Sequence, residues 1–239
     1  MIRTPHYYGS CCPFTHSINI GMFKYTDIPT LPELTVENSA TGRRYYVTPE
    51  GNKYPSITTV LGAKSKPYLD NWRHMLGDKK ADKEQKRCAA RGTAIHEMCE
   101  KYLFNDEHPT KGYAADHVRG FNQLKFRLNK INNIRAQEVA IYCDYLSVAG
   151  RVDCIGEYDG VPSIIDFKTS NNNKDASMIE DYFKQCTFYA LAWEEMTGEL
   201  IEDIVILMSV EKGMVPMVHK EKIENWIPSL LKDISNFNK

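Results

Sequence analysis

GRVDCIGEYDGVPSIIDFKTS, residues 150–170, decides how this chain is read. Two apolar runs flank Tyr158-Asp159-Gly160-Val161, and Asp-Gly in that setting is a strong signal for a two-residue hairpin. Side chains alternate faces along a strand, so Asp166 and Lys168 share one face while Ile165 and Phe167 share the other. The turn folds Asp153, on the first strand, back beside Asp166. Two carboxylates held together repel and raise a pKa. A bound divalent cation relieves that repulsion, and oxygen ligands favour Mg²⁺ or Mn²⁺. Lys168 would then orient a water acidified by the cation, or neutralise a charged phosphorane. The bland reading of the same residues is an exposed ion pair at a strand end. Asp-x-Lys alone is weak, since Asp78-Lys79-Lys80 and Glu84-Gln85-Lys86 have similar spacing in charge-rich helical sequence, where a solvated face suffices.

Outward from this hairpin the pattern predicts strands over roughly 138–145, 147–158 and 162–168. A helix over about 175–197 follows, ended by Gly198. DIVILMSVE (203–211) is continuously apolar, which suits a strand covered on both faces. The helix before it is a crossover that sets this strand parallel to 162–168. Upstream, Ile95, Met98, Cys99, Tyr102 and Leu103 mark a helix over about 78–104, and Val118 to Ile131 mark a second over about 114–132. Gly92 costs the first of these about 1 kcal/mol and calls for a close approach by backbone or ligand. A last helix carries Ile223 to Ile234, kinked or restarted at Pro228. Residues 43–56 read as a small hairpin, with Ser56 capping the helix that follows. Residues 1–40, with Pro13, Pro29 and Pro32, read as an irregular arm or a loosely packed cap. The expected fold is α/β: a mixed central sheet, an antiparallel meander plus one parallel strand, flanked by helices. The expected division is an arm and hairpin over 1–53 and a main domain over 54–239.

The composition is that of a globular chain with ample core, 42% hydrophobic and 26% charged, so folding needs no metal or disulfide. A formal charge of −1 excludes a global basic field, so an anionic partner must be held locally. Local candidates are Lys64, Lys66, Arg73, Lys79, Lys80, Lys83, Lys86, Arg87 and Arg91, with Tyr54, Tyr68 and Trp72 as stacking surfaces for single-stranded bases or as core. No run approaches the roughly 18 apolar residues of a membrane span. The first 23 residues lack a basic start followed by an apolar core, so no secretory signal is expected. Cysteines 11, 12, 88, 99, 143, 154 and 186 are odd in number with no Cys-x-x-Cys pair, which points to reduced thiols and a cytoplasmic location.

Four stretches in order resemble the PD-(D/E)XK nuclease superfamily, and within it the RecB-like exonuclease branch that includes mitochondrial genome maintenance exonucleases and phage relatives. RGTAIHE (91–97) is similar to the helical glycine-histidine motif, GRVD (150–153) and IIDFKTS (164–170) to the paired catalytic motifs, and QCTFYALAW (185–193) to the Gln-x-x-x-Tyr helix. YPSITTVL (54–61) and Glu138 of QEVAIYC add to the likeness, which spans about 54–212. The resemblance implies a restriction-endonuclease-like core. It implies Asp153 and Asp166 as metal ligands, His96 near the metal as a further ligand or as a leaving-group and phosphate contact, Lys168 as the catalytic lysine, and Glu138 as an accessory acid that orients water or a second metal. Gln185, Tyr189, Arg91, Ser56 and Thr58 would face DNA. It further implies Mg²⁺ or Mn²⁺, products with 5′-phosphates, and DNA as partner, single-stranded or at its ends. A recombination or replication protein would deliver that DNA, in a bacterial host cytoplasm if the chain is phage-encoded. No cysteine follows Cys186, so no iron–sulfur cluster is expected. A structure-selective endonuclease and a non-catalytic DNA-binding module on the same fold are the rival readings.

Overall fold

The structure is a computed structural model that describes residues 22–26, 30–40 and 42–238, the side chain of Lys66 excepted. The expectations on Cys11, Cys12, Pro13 and Pro29 lie outside the described residues.

The core is a five-stranded sheet in the order β4-β5-β6-β7-β8. Strands β4 (Ile131–Cys143), β5 (Val148–Tyr158) and β6 (Val161–Ser170) form the antiparallel meander. Asp159 and Gly160 adopt φ of 52° and 81° at its tight turn, the doubly positive geometry that Asp-Gly favours. Helix α5 (Glu180–Thr197) crosses over and returns the chain as β7 (Asp203–Val210), parallel to β6. Gly198, at φ 76°, closes α5 with a left-handed cap that an L side chain resists. Strand β8 (Met217–Lys222) adds an antiparallel edge beyond β7.

Alternation along β6 and β7 feeds two apolar layers. Ile164, Ile204, Ile206 and Met208 face α1 (Ile57–Gly62), α5 and α6 (Ile227–Phe237). Ile165, Phe167, Val205 and Leu207 face α3 (Asp78–Leu103) and α4 (Ala115–Leu128). Fully burying each such side chain contributes roughly 1.5–3 kcal/mol, so the two-faced sheet is the main source of stability. Gly150 lies where three elements meet: a methyl there would come within 2.7 Å of Tyr189 Cε1 and 3.1 Å of Ile57 Cγ2. The glycine of GRVD is thus fixed by packing.

Several boundaries differ from the sequence expectation. The second upstream helix ends at Leu128 and β4 begins at Ile131, seven residues before the expected 138. Ile131 continues the helical spacing of Leu124 and Leu128, but it pairs with Tyr158 instead. The stretch read as an arm contributes to the core: Phe23 is buried against the α3–α4 layer, and Lys24 and Thr26 exchange backbone hydrogen bonds with Ile134 of β4. Strand β1 (Thr35–Asn38) joins the expected hairpin of β2 (Arg44–Val47) and β3 (Lys53–Pro55) to make a three-stranded sheet. Helix α2 (Lys66–Leu76) was not expected, and neither was β8. Cys88, Cys99, Cys143, Cys154 and Cys186 are free thiols, all but Cys88 buried. Among the described residues no helix is long and apolar enough to cross a membrane.

Candidate active site

Three acids occupy one row across the sheet. The β4–β5 pairing runs Gln137–Cys154 and Val139–Val152, which sets Glu138 opposite Asp153. The β5–β6 ladder runs from Tyr158–Val161 to Cys154–Ile165 and stops; the next step of that register is Asp153 opposite Asp166. Where the ladder stops, a side chain replaces it: the Phe167 N–H donates to Asp153 Oδ2 at 2.8 Å. The Asp153–Asp166 pair is thus produced by the hairpin register that Asp-Gly fixes, and the Glu138–Asp153 pair by the separate β4–β5 register.

Helix α3 lowers His96 onto this row. His96 Nδ1 lies 3.4 Å from Asp153 Oδ2. One ligand atom each from His96, Glu138 and Asp153 fall within 4.8 Å of one another. Asp166 is not in that group. It is fully buried, with Oδ2 paired to Lys168 Nζ at 2.5 Å, and neither of its oxygens accepts an aligned hydrogen bond. Glu138, expected as an accessory acid for a water or a second metal, stands among the clustered ligand atoms. Its backbone φ is 53°, in the left-handed region that a β-rich run does not predict.

The electrostatics follow from burial. Burial raises the Glu138 carboxyl to about 8, and neighbouring Asp153 adds to the rise. Burial also raises Asp166 to about 6, with Lys168 opposing and Asp153 reinforcing the shift. For Lys168, burial works against the charge, but Asp166 and Asp153 outweigh it and hold the ammonium protonated. Carboxylates this costly to ionise suit a divalent cation, which offers them the charge the protein does not. The donor set, one imidazole nitrogen with carboxylate oxygens, suits Mn²⁺ as well as Mg²⁺, and Asp166 Oδ1, buried and without a partner, is a further free donor to such an ion.

The strain at Glu138 is testable. A left-handed non-glycine residue costs about 1–2 kcal/mol, and a half-buried acid adds to that. Glu138→Gly is expected to melt higher than the parent in metal-free buffer while losing activity; a lower melting temperature would show that Glu138 is held by contacts worth more than its strain.

The remaining expected residues are placed as follows. Gln185 and Tyr189 are buried on α5, and Gln185 Nε2 donates to Tyr189 Oη at 2.8 Å. Arg91 is buried, its guanidinium given to Glu211 and to Asn171 Oδ1. Ser56 is buried and caps α1, accepting from the Thr59 N–H at 3.1 Å. Thr58 is exposed beside it. Gly92 lies against β6, but a methyl there would meet only Thr169 Oγ1 at 3.6 Å, an ordinary contact, so packing alone does not demand a glycine. In the basic tract, Arg73 pairs with Asp82 and Asp78, and Lys64 with Asp181 and Asp233. Lys79, Lys80, Lys83 and Lys86 stay exposed. Tyr68 is 74% exposed, whereas Tyr54 hydrogen-bonds Asp144.

Two neighbours of the site escaped the sequence reading. Tyr182 of α5 lies under Lys168 Nζ, 5.0 Å from the ring centroid. Nothing local marks it, because the contact arises from the crossover. Arg151 sits two residues before Asp153, and its Nε donates to the Glu138 carbonyl at 2.9 Å. Alternation alone places Arg151 and Asp153 on one face, so this residue was legible.

A family profile described as the PD-(D/E)XK nuclease superfamily matches residues 68–225. The chain is similar to mitochondrial genome maintenance exonuclease 1 of Mus musculus, 27% identical over 131 residues that make up 52% of this chain and 39% of that one. The Homo sapiens protein of that name is 26% identical over 186 residues, 71% of this chain and 50% of that one. The chain thus spans half or less of the length of these relatives. A crystal structure of Scheffersomyces stipitis Rai1 with (3′-NADP)⁺ and calcium overlaps 84% of this chain and 49% of that one, at 17% identity and a TM-score of 0.31, too low to carry an argument.

Proposed function

The chain belongs to the PD-(D/E)XK nuclease superfamily, and from that premise we propose that it is a divalent-metal-dependent DNA exonuclease whose products carry 5′-phosphates. The observation that carries this reading is the buried Asp166–Lys168 pair set one strand away from the His96–Glu138–Asp153 cluster. A divalent cation held by Asp153, Glu138 and His96, with Asp166 in reach, would supply charge to the phosphodiester and acidity to a water. Lys168 holds its ammonium where negative charge develops on the phosphoryl oxygens, and Asp166 fixes that ammonium in place. Gln185 and Tyr189 brace α5 behind β6, and Thr58 and Tyr68 offer exposed contacts to a strand. Preference for an end rests on the likeness to relatives named as exonucleases. Work in phage-type recombination, replication or processing, in a cytoplasm, belongs to the same proposal.

End-labelled linear and circular single-stranded and double-stranded DNA, incubated with Mg²⁺ or Mn²⁺, tests it. Linear DNA is expected to shorten from an end while circles survive. Cleavage of circles would replace the exonuclease with an endonuclease. Binding without cleavage in either metal would leave a DNA-binding module.

A further inference from the structure

Arg151 stands at the mouth of the acidic cluster with its side chain 59% exposed. Only its Nε is engaged: it donates to the Glu138 carbonyl at 2.9 Å and lies 3.3 Å from Glu138 Oε2. Among the described residues its two terminal nitrogens make no hydrogen bond. Glu138 is the same residue that is held at φ 53° and contributes a ligand atom to the cluster. The guanidinium is therefore oriented from one edge by an element of the site, and its other edge is open.

The charge balance gives that open edge a purpose. Glu138 and Asp153 converge here, Asp166 stands opposite Asp153 on the next strand, and the buried ammonium of Lys168 is committed to Asp166. A phosphodiester entering the cluster brings another negative charge. A guanidinium anchored through Nε presents a planar fork of N–H donors, which matches two oxygens of a phosphate in a way a flexible ammonium does not. A plain surface ion pair with Glu138 would explain the 3.3 Å contact but not the bond to the backbone carbonyl, which persists whatever the state of the carboxyl.

We propose that Arg151 binds a phosphate of the DNA strand and holds it against the His96–Glu138–Asp153 cluster; this rests on the nuclease reading above and adds a residue to it. The test measures binding of a fluorescent single-stranded oligonucleotide across a salt series in Mn²⁺. Lys168→Met, expected not to cleave, is compared with Lys168→Met carrying Arg151→Ala or Arg151→Lys. Arg151→Ala is expected to weaken binding by about tenfold or more and to reduce the salt slope by about 1. Arg151→Lys is expected to recover the slope and only part of the affinity, since it keeps the charge and loses the fork. Melting temperatures of the three proteins are expected to agree. Unchanged affinity and slope in Arg151→Ala overturn the proposal, as does a loss of affinity that tracks a fall in melting temperature. If the parent shortens linear DNA and Arg151→Ala binds and cuts as well as it does, this proposal falls and the nuclease reading stands. If the parent neither binds nor cuts DNA, the nuclease reading falls and takes this one with it.

Discussion

Lys168→Met is expected to lower DNA cleavage by about three orders of magnitude while leaving the chain folded. The rate loss follows from where the ammonium sits. It lies 2.5 Å from Asp166, inside the sheet, and is kept charged there by Asp166 and Asp153 against the pull of burial. A donor fixed at the site of developing phosphoryl charge is worth about 10²–10³ in rate, and a positioned proton donor about 10²–10⁴. The competing effect is unfolding, because removing one partner of a buried pair costs about 3–5 kcal/mol when the other stays charged. Here it need not stay charged. Burial already lifts the Asp166 carboxyl to about 6 with the lysine present, so without it Asp166 takes up a proton at neutral pH and bounds the penalty. Methionine also keeps an apolar stem against Tyr182. The double variant Asp166→Asn, Lys168→Met separates the two effects: it is expected to melt near the parent and to remain inactive. Cleavage by Lys168→Met at more than a tenth of the parent rate would remove this lysine from the mechanism.

Much of this arrangement can be read from residues 150–170, because an Asp-Gly turn sets a register and a register sets which acids meet. Asp153 and Asp166 face each other for that reason alone. What could not be read are the departures from regular geometry. Strand periodicity assumes a regular pleat, and β4 breaks it twice, at the register shift between Asn132 and Ala136 and at Glu138 with its positive φ. The first departure hides the start of β4 behind a run of helical spacing that ends in Ile131. The second sits at Glu138 itself, one of the three clustered ligand residues. Arg91 and Ser56 illustrate a different limit. Their motifs drew attention to them, but the sequence does not say that Glu211 and Asn171, 80 or more residues away, take the guanidinium, or that the serine hydroxyl is turned inward to cap α1. Helix α2 is largely exposed and β8 is only half-buried at the sheet edge, so neither supplies a run of core residues to mark it.

Millimolar Mn²⁺ is expected to raise the melting temperature of the chain by about 5–10 °C over EDTA, and Asp153→Asn is expected to lose most of that rise. The sheet holds Glu138, Asp153 and Asp166 in one row, which repulsion and burial both disfavour. A ligand present at about 100 times its Kd stabilises the folded state by about 2.7 kcal/mol, and in a chain of this size each kcal/mol moves the melting temperature by about 2–4 °C. The pH dependence has a definite sign. The folded-state carboxyls of Glu138 and Asp166 lie at about 8 and about 6, above their unfolded values, so between roughly pH 4 and 8 the folded state binds more protons than the unfolded one. Stability in EDTA should therefore fall as pH rises through that window, the reverse of ordinary salt-bridged carboxylates. The cation competes with those protons, so the Mn²⁺ effect should grow as pH rises toward 8. An equal rise in Asp153→Asn, or none in the parent, would mean that the acids are not gathered for a cation, and the reading of the cluster as a metal centre would fail while the family assignment stood.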